Sequence, residues 1–148
     1  MSGVVCAIRG GPHSQATIAK AIAVARENSL PLYFLYVVNL DFLAHATITR
    51  THTIHQEMEQ MGEFILLAAQ SQAANQDVAA EGLVRDGTVS EEIATLCHEV
   101  EADFLVVGRP QLLDDEQNVF THALLEQFTE RVAAQTGATI IMPDEISP

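Results

Sequence analysis

What most constrains the fold of this chain is the alternation of short, wholly apolar runs with stretches of helical period. Val4-Val5-Cys6-Ala7-Ile8, Leu32 to Val38 and Phe104-Leu105-Val106-Val107 each lack the polar-apolar alternation of a strand with one wet face, and Ala138 to Met142 makes a further strand that contains Thr139. Such runs read as strands covered on both sides, the condition of a parallel sheet sandwiched by helices. Between them lie stripes at helical spacing: Ile18, Ala21, Ile22 and Ala25; Ile54, Met58, Met61, Ile65, Ala68 and Ala69; Val89, Ile93, Leu96, Cys97 and Val100; Phe120, Leu124, Phe128 and Val132. A fifth strand is expected at about 78–84. The resulting order is β-α-β-α-β-α-β-α-β. Right-handed crossovers then predict an α/β fold, a doubly wound five-stranded parallel sheet with helices on both faces.

Punctuation agrees with this order. Ser14 is suited to cap the first helix, and Asn28 to end it in a left-handed conformation before Leu30-Pro31. Residues 39–53, rich in Thr and His, read as an excursion before a long second helix that ends near Asn75. Asp86-Gly87 makes a turn, Thr88 and Glu91 form a capping box, and Gly137 is placed to cap the fourth helix. Met58, Met61 and Phe64 read as core packing, with a partner surface as the alternative. With 148 residues, 48% hydrophobic, and no internal repeat, the chain is expected to be a single domain over 1–148.

Composition excludes several classes of function. The net charge of −13, with only seven basic residues, leaves no basic stripe to replace the counterions of a nucleic acid. Acidic membrane surfaces would repel the chain, and no apolar run approaches the roughly 20 residues of a membrane span. The two cysteines, Cys6 in a strand and Cys97 on a helix face, read as free structural thiols of a reducing compartment, so a cytoplasmic location is expected.

Candidate chemistry gathers where strands run into glycine. Ile8 is followed by Arg9-Gly10-Gly11-Pro12-His13-Ser14, and Val107 by Gly108-Arg109-Pro110. Arg9, Arg85 and Arg109 each stand at the carboxyl end of an expected strand. If the first and fourth strands are neighbours, Arg9 and Arg109 flank the topological switch point, where such sheets bind ligands. With the amides of Gly10 and Gly11 at a helix start, they form a candidate pocket for a phosphate or carboxylate. Alternatively, these arginines pair with carboxylates of this acidic chain, Asp86 and the 114–116 cluster among them.

His45, His52 and His55 fall in or beside the excursion. Histidines three apart can share a helix face and a metal, but no cysteine lies near, so no metal is expected and a surface segment is the simpler reading. Glu57, Glu59 and Glu63 read as a solvated helix face. No nucleophile is placed beside a base, because the adjacent His13 and Ser14 are better explained by helix capping.

Taken in order, Ile8 to Ser14, Leu35-Tyr36-Val37-Val38, Val84 to Gly87 leading into Glu91-Glu92-Ile93, Ala102 to Gly108, and Thr129 to Val132 before Ala138 to Ile141 resemble the universal stress protein family over nearly the whole chain. The resemblance implies strand order 3-2-1-4-5, commonly a dimer joined through the last strand, and in ATP-binding members a Gly-x2-Gly-x9-Gly-Ser/Thr run after the fourth strand. Here Gly108 matches the first glycine, Gln111 stands at the second, and no Gly-Ser precedes Phe128. Where the family carries an aspartate after its first strand, this chain has Arg9. A loop of ATP-pyrophosphatases, a related fold, is also similar, but Arg9 and His13 replace its serine and aspartate.

Glycines in that run let backbone amides approach phosphates without intervening Cβ atoms, and glutamine with nearby Asp114, Asp115 and Glu116 obstructs or repels a triphosphate. The expectation is a non-catalytic, regulatory or stress-response protein with no cofactor. It binds at most a small anion at Arg9, Gly10, Gly11, Gly108 and Arg109. The alternatives are an adenine-nucleotide sensor, for ATP or AMP with adenine against Val38, and a regulatory module of a transporter or enzyme. The apolar edge strand 138–142 invites pairing with a second copy, so a homodimer is expected.

Overall fold

The computed structural model describes residues 3–8, 14–38, 48–87, 89–107, 130, 133–134 and 137–141. Its elements are β1 (Gly3–Ala7), α1 (Ser14–Asn28), β2 (Leu32–Val38), α2 (Ile48–Ala74), β3 (Ala80–Asp86), α3 (Val89–Glu99), β4 (Ala102–Val107) and β5 (Thr139–Ile141). The five strands form one parallel sheet in the order β3-β2-β1-β4-β5. This is the expected doubly wound order. The stripe expected at Phe120, Leu124, Phe128 and Val132, and the capping Thr88, lie outside the described residues. Gly137 does take a left-handed φ of 73°, and its N–H bonds to the Ala133 carbonyl at 2.9 Å.

Side chains alternate between two apolar layers, which explains why the strands show no polar alternation. Val4, Cys6, Phe34, Tyr36 and Val106 pack with α1 and α2 on one face. Val5, Leu35, Leu105 and Val107 pack with Ile93, Leu96 and Cys97 of α3 on the other. Cys6 and Cys97 are free and buried, and burial holds both thiols well above their ordinary range, Cys97 at about 12. A thiol so far from ionising is a poor nucleophile, in keeping with a structural role.

Three details differ from the sequence reading. First, the left-handed residue ending α1 is Ser29 (φ 54°), not Asn28. Asn28 stays helical and donates from Nδ2 to the Val24 carbonyl at 2.8 Å. Leu30 N–H then bonds back to Ala25 O and Ser29 N–H to Arg26 O, the paired 6→1 and 5→2 bonds of a Schellman motif. The end of α2 repeats the device: Asp77 has φ 61°, with Val78 N–H to Ala73 O and Asp77 N–H to Ala74 O. Val78 is therefore spent on the cap, which is why β3 starts at Ala80 rather than Val78. Because a Cβ is disfavoured at such positions, Ser29→Gly and Asp77→Gly are each expected to stabilise the fold by about 0.5–1 kcal/mol, the serine site more. Urea unfolding midpoints check this.

Second, α2 begins at Ile48, six residues before Ile54, so part of the expected excursion is helix. Third, the inward stripe of α2 keeps Met58, Ile65 and Ala69 of the expected one but not Met61. Met61 (57% exposed), Phe64 (74%) and Leu67 (66%) face outward, while Leu66, Ala69 and Ala73 are buried and Met58 and Ile65 pack against the core. The residue that completes the stripe is Gly62. A Cβ there would lie 2.5 Å from Cδ1 and 3.0 Å from Cγ of the buried Tyr36 ring. The missing side chain lets α2 rest directly on β2.

Candidate functional site

Strand register places the carboxyl ends of the sheet side by side. Ala7 of β1 pairs with Val107 of β4 on one side and Leu35 of β2 on the other, and Val38 of β2 pairs with Asp86 of β3. The chain travels β1 to β2 to β3 in one direction and then crosses to β4 and β5 on the opposite side of β1. The switch point thus falls between β1 and β4, the crevice where open α/β sheets receive ligands. Arg9, Gly10 and Gly11 follow the last residue of the first apolar run, and Gly108 and Arg109 follow β4. All five lie outside the described residues. Val38, the remaining candidate, is described. It ends β2 with a buried side chain, and its carbonyl accepts from Gly87 N–H at 3.1 Å.

Arg85 does not join a ligand site. It lies on β3, two strands from the switch point, and forks onto Glu99 of α3, with Nη2 to Oε1 at 2.7 Å and Nη1 to Oε2 at 3.2 Å. Pairing with a carboxylate of the chain is thus what this arginine does, though with Glu99 rather than Asp86; the 114–116 cluster lies outside the described residues. Hydrogen bonds from Arg85, aided by its charge, hold the Glu99 carboxyl below its ordinary value of 4.5. A depressed carboxyl contributes stability above the unfolded value and loses it as pH falls through the lower folded one. The stability difference between the native chain and Arg85→Ala should therefore be present at neutral pH and shrink below pH 4.5. Chemical denaturation across that window checks it.

Sequence reasoning missed one constellation on this edge. His55 is not in a loop: it lies on α2, with Nε2 2.8 Å from Asp86 Oδ1 at the end of β3 and Nδ1 3.5 Å from Glu59 Oε1 one helical turn on. Glu59, grouped in the sequence with a solvated face, thus has a partner. The spacing of His55 and Glu59, four apart on a helix, was a readable signal. The approach of Asp86, 31 residues away, was not. His45 lies outside the described residues. Among the described residues no helix is long and apolar enough to cross a membrane.

Residues 1–142 match the model of the universal stress protein family. The chain belongs to this family. The fold is shared with solved family members across almost their full length at low identity. Universal stress protein UspA from Lactobacillus plantarum is 15% identical, with 97% of each chain covered and a TM-score of 0.76. A universal stress protein in complex with cAMP is 18% identical, with 98% of each covered and a TM-score of 0.70. The universal stress protein from Archaeoglobus fulgidus in complex with dAMP is 14% identical, covering 97% of this chain and 98% of that one, with a TM-score of 0.62. No curated protein matches the sequence. At these identities the likeness establishes the fold, and the resemblance read from the strand-end motifs is correct at the level of the family.

Proposed function

We propose that this universal stress protein is a non-catalytic regulatory or stress-response protein that does not bind ATP in the family's usual manner and takes a small anion at the β1–β4 switch point. The observation that carries the reading is the substitution of the triphosphate run. Gln111 stands where the second glycine belongs, Asp114, Asp115 and Glu116 follow, and no Gly-Ser precedes Phe128. Backbone amides cannot close around three phosphates across side chains and like charge. What the sequence retains there is cationic: Arg9 and Arg109 with the amides of Gly10 and Gly11, and Gly108 beside them.

A second reading is favoured by the ligands of two structural relatives, cAMP and dAMP. Both are adenine nucleotides with a single phosphate, which asks less of the missing glycines than a triphosphate does. On this reading the chain is an adenine-nucleotide sensor, with adenine near Val38 and one phosphate at Arg9 and Arg109. Calorimetry with inorganic phosphate and AMP on the native chain and on the Arg9→Ala, Arg109→Ala double variant tests both. Weakening of either ligand by tenfold or more supports the anion site, and preference for AMP over phosphate selects the sensor. Unchanged affinity in the double variant rejects both.

The reading includes one domain over residues 1–148, a cytoplasmic location and a protein partner; a regulatory module of a transporter or enzyme is the alternative to it. It also includes a homodimer through residues 138–142. β5 supports the dimer, since it forms the sheet edge with Ile140 and Ile141 half-buried. Sedimentation as a monomer at micromolar concentration would reject it.

A further inference from the structure

The constellation of His55, Glu59 and Asp86 is separate from the switch point, and its chemistry differs from that of an anion pocket. One ligand atom from each of the three residues lies within 4.8 Å of the others. We propose that they form a binding site for a first-row divalent cation of the zinc type, a reading independent of the nucleotide question.

The donor set argues for the ion class. One imidazole nitrogen with two carboxylate oxygens suits zinc and its neighbours in the first transition row. Magnesium and calcium instead favour all-oxygen shells of six or more ligands. The net charge of −13 also raises the local concentration of cations.

Placement argues that the geometry is held. His55 and Glu59 lie four apart on α2, so the helix fixes both on one face. Asp86 is the last residue of β3, where its strand pairs with Val38 and the next amide, Gly87 N–H, bonds to the Val38 carbonyl. The ligands therefore stand on a helix and a strand end rather than on a free loop, which favours precision.

The cluster also leaves room for the ion. The side chains of His55, Glu59 and Asp86 are 28%, 42% and 57% exposed, enough for entry and for water to complete the shell. Zinc bonds of about 2.0–2.1 Å at a tetrahedral angle set a nitrogen and an oxygen roughly 3.3 Å apart. Asp86 meets Nε2 and Glu59 meets Nδ1, so one ion takes all three donors only when the exposed carboxylates rotate to the same edge of the ring and the 2.8 Å between His55 Nε2 and Asp86 Oδ1 widens by about half an ångström. The imidazole gives one nitrogen to the ion. Its other N–H can donate to a free carboxylate oxygen, the outer hydrogen bond that commonly orients a ligating histidine.

The test is calorimetric titration of chelator-stripped protein with zinc chloride, with magnesium and calcium in parallel. It uses the native chain, His55→Ala, Glu59→Gln, Asp86→Asn and a control, His98→Ala on α3, each checked for native circular dichroism. The proposal predicts one zinc per chain, no measurable heat with magnesium or calcium, and an affinity at least about tenfold weaker in each of the three cluster variants. The control should bind as the native chain does. Absence of a stoichiometric zinc site in the native chain overturns the proposal. So does undiminished binding in His55→Ala and Asp86→Asn, which would place the ion on other histidines.

Discussion

Phe34→Ala is expected to lower stability by about 3–5 kcal/mol, the usual cost of deleting a buried phenyl ring together with the cavity left behind. Phe34 is fully buried in the middle of β2, where it joins the layer formed with α1 and α2 and sits beside Cys6 of β1 in register. Strands flank β2 on both sides and helices cover both its faces, so the site has little freedom to collapse. A domain of this size holds about 5–15 kcal/mol in all, so the variant should lose at least about a fifth of its stability. In a thermal melt the midpoint should fall by roughly 6–20 °C, at about 2–4 °C for each kcal/mol. A fall of only 1–2 °C would mean that the ring is not in the core and that the strand register of β2 is wrong.

Gly62→Leu should cost a comparable amount, about 3 kcal/mol or more, although leucine is the better helix former by nearly 1 kcal/mol. The reason is contact, not propensity. The first atom of any side chain at Gly62 would meet the Tyr36 ring at 2.5 Å, and Tyr36 is itself buried against β2. Neither can move away without lifting α2 from the sheet. The neighbouring position supplies the control: Met61 is 57% exposed, and Met61→Ala should change stability by no more than about 0.5 kcal/mol. Paired urea melts of the two variants read the difference. Equal small effects would show that α2 packs in another rotation.

The same helix shows where a sequence is legible and where it is not. The strands were readable because continuous apolar runs such as Leu32 to Val38 admit little besides burial on both faces. Handedness led to a doubly wound parallel sheet, and the order 3-2-1-4-5 came from the resemblance to the universal stress protein family. The face of α2 was misread because the stripe was traced through Met61, an apolar residue, when its true member is Gly62, which carries no hydrophobic signal. The start of α2 was misread because Ile48-Thr49-Arg50-Thr51-His52-Thr53 has β-branched residues of weak helix propensity and no apolar period. β3 was shifted because Val78, a natural strand residue, follows a left-handed aspartate and closes the helix cap instead.

The candidate site divides in the same way. Arginine and glycine after two strand ends are a local pattern, and the five residues that carry it lie outside the described residues. Arg85 matched that pattern, yet its guanidinium is occupied by Glu99, a residue on the next helix that no local rule would pair with it. His55 met Glu59 by helical spacing alone, but Asp86 reaches them only through the packing of α2 on β3. Contacts that depend on how two elements pack were the part that the sequence did not disclose.

Gln111 and the acidic residues after it should leave this universal stress protein without the triphosphate site of the family's ATP-binding members. A thermal-shift titration with ATP, with and without magnesium, tests it most directly. A ligand at about a hundred times its dissociation constant adds roughly 2.7 kcal/mol, which in a domain of this size raises the melting point by about 5–10 °C. No saturable rise is expected at millimolar ATP in either condition. A saturable rise would contradict it, and would mean that Gln111 and the acidic residues after it do not obstruct the phosphates.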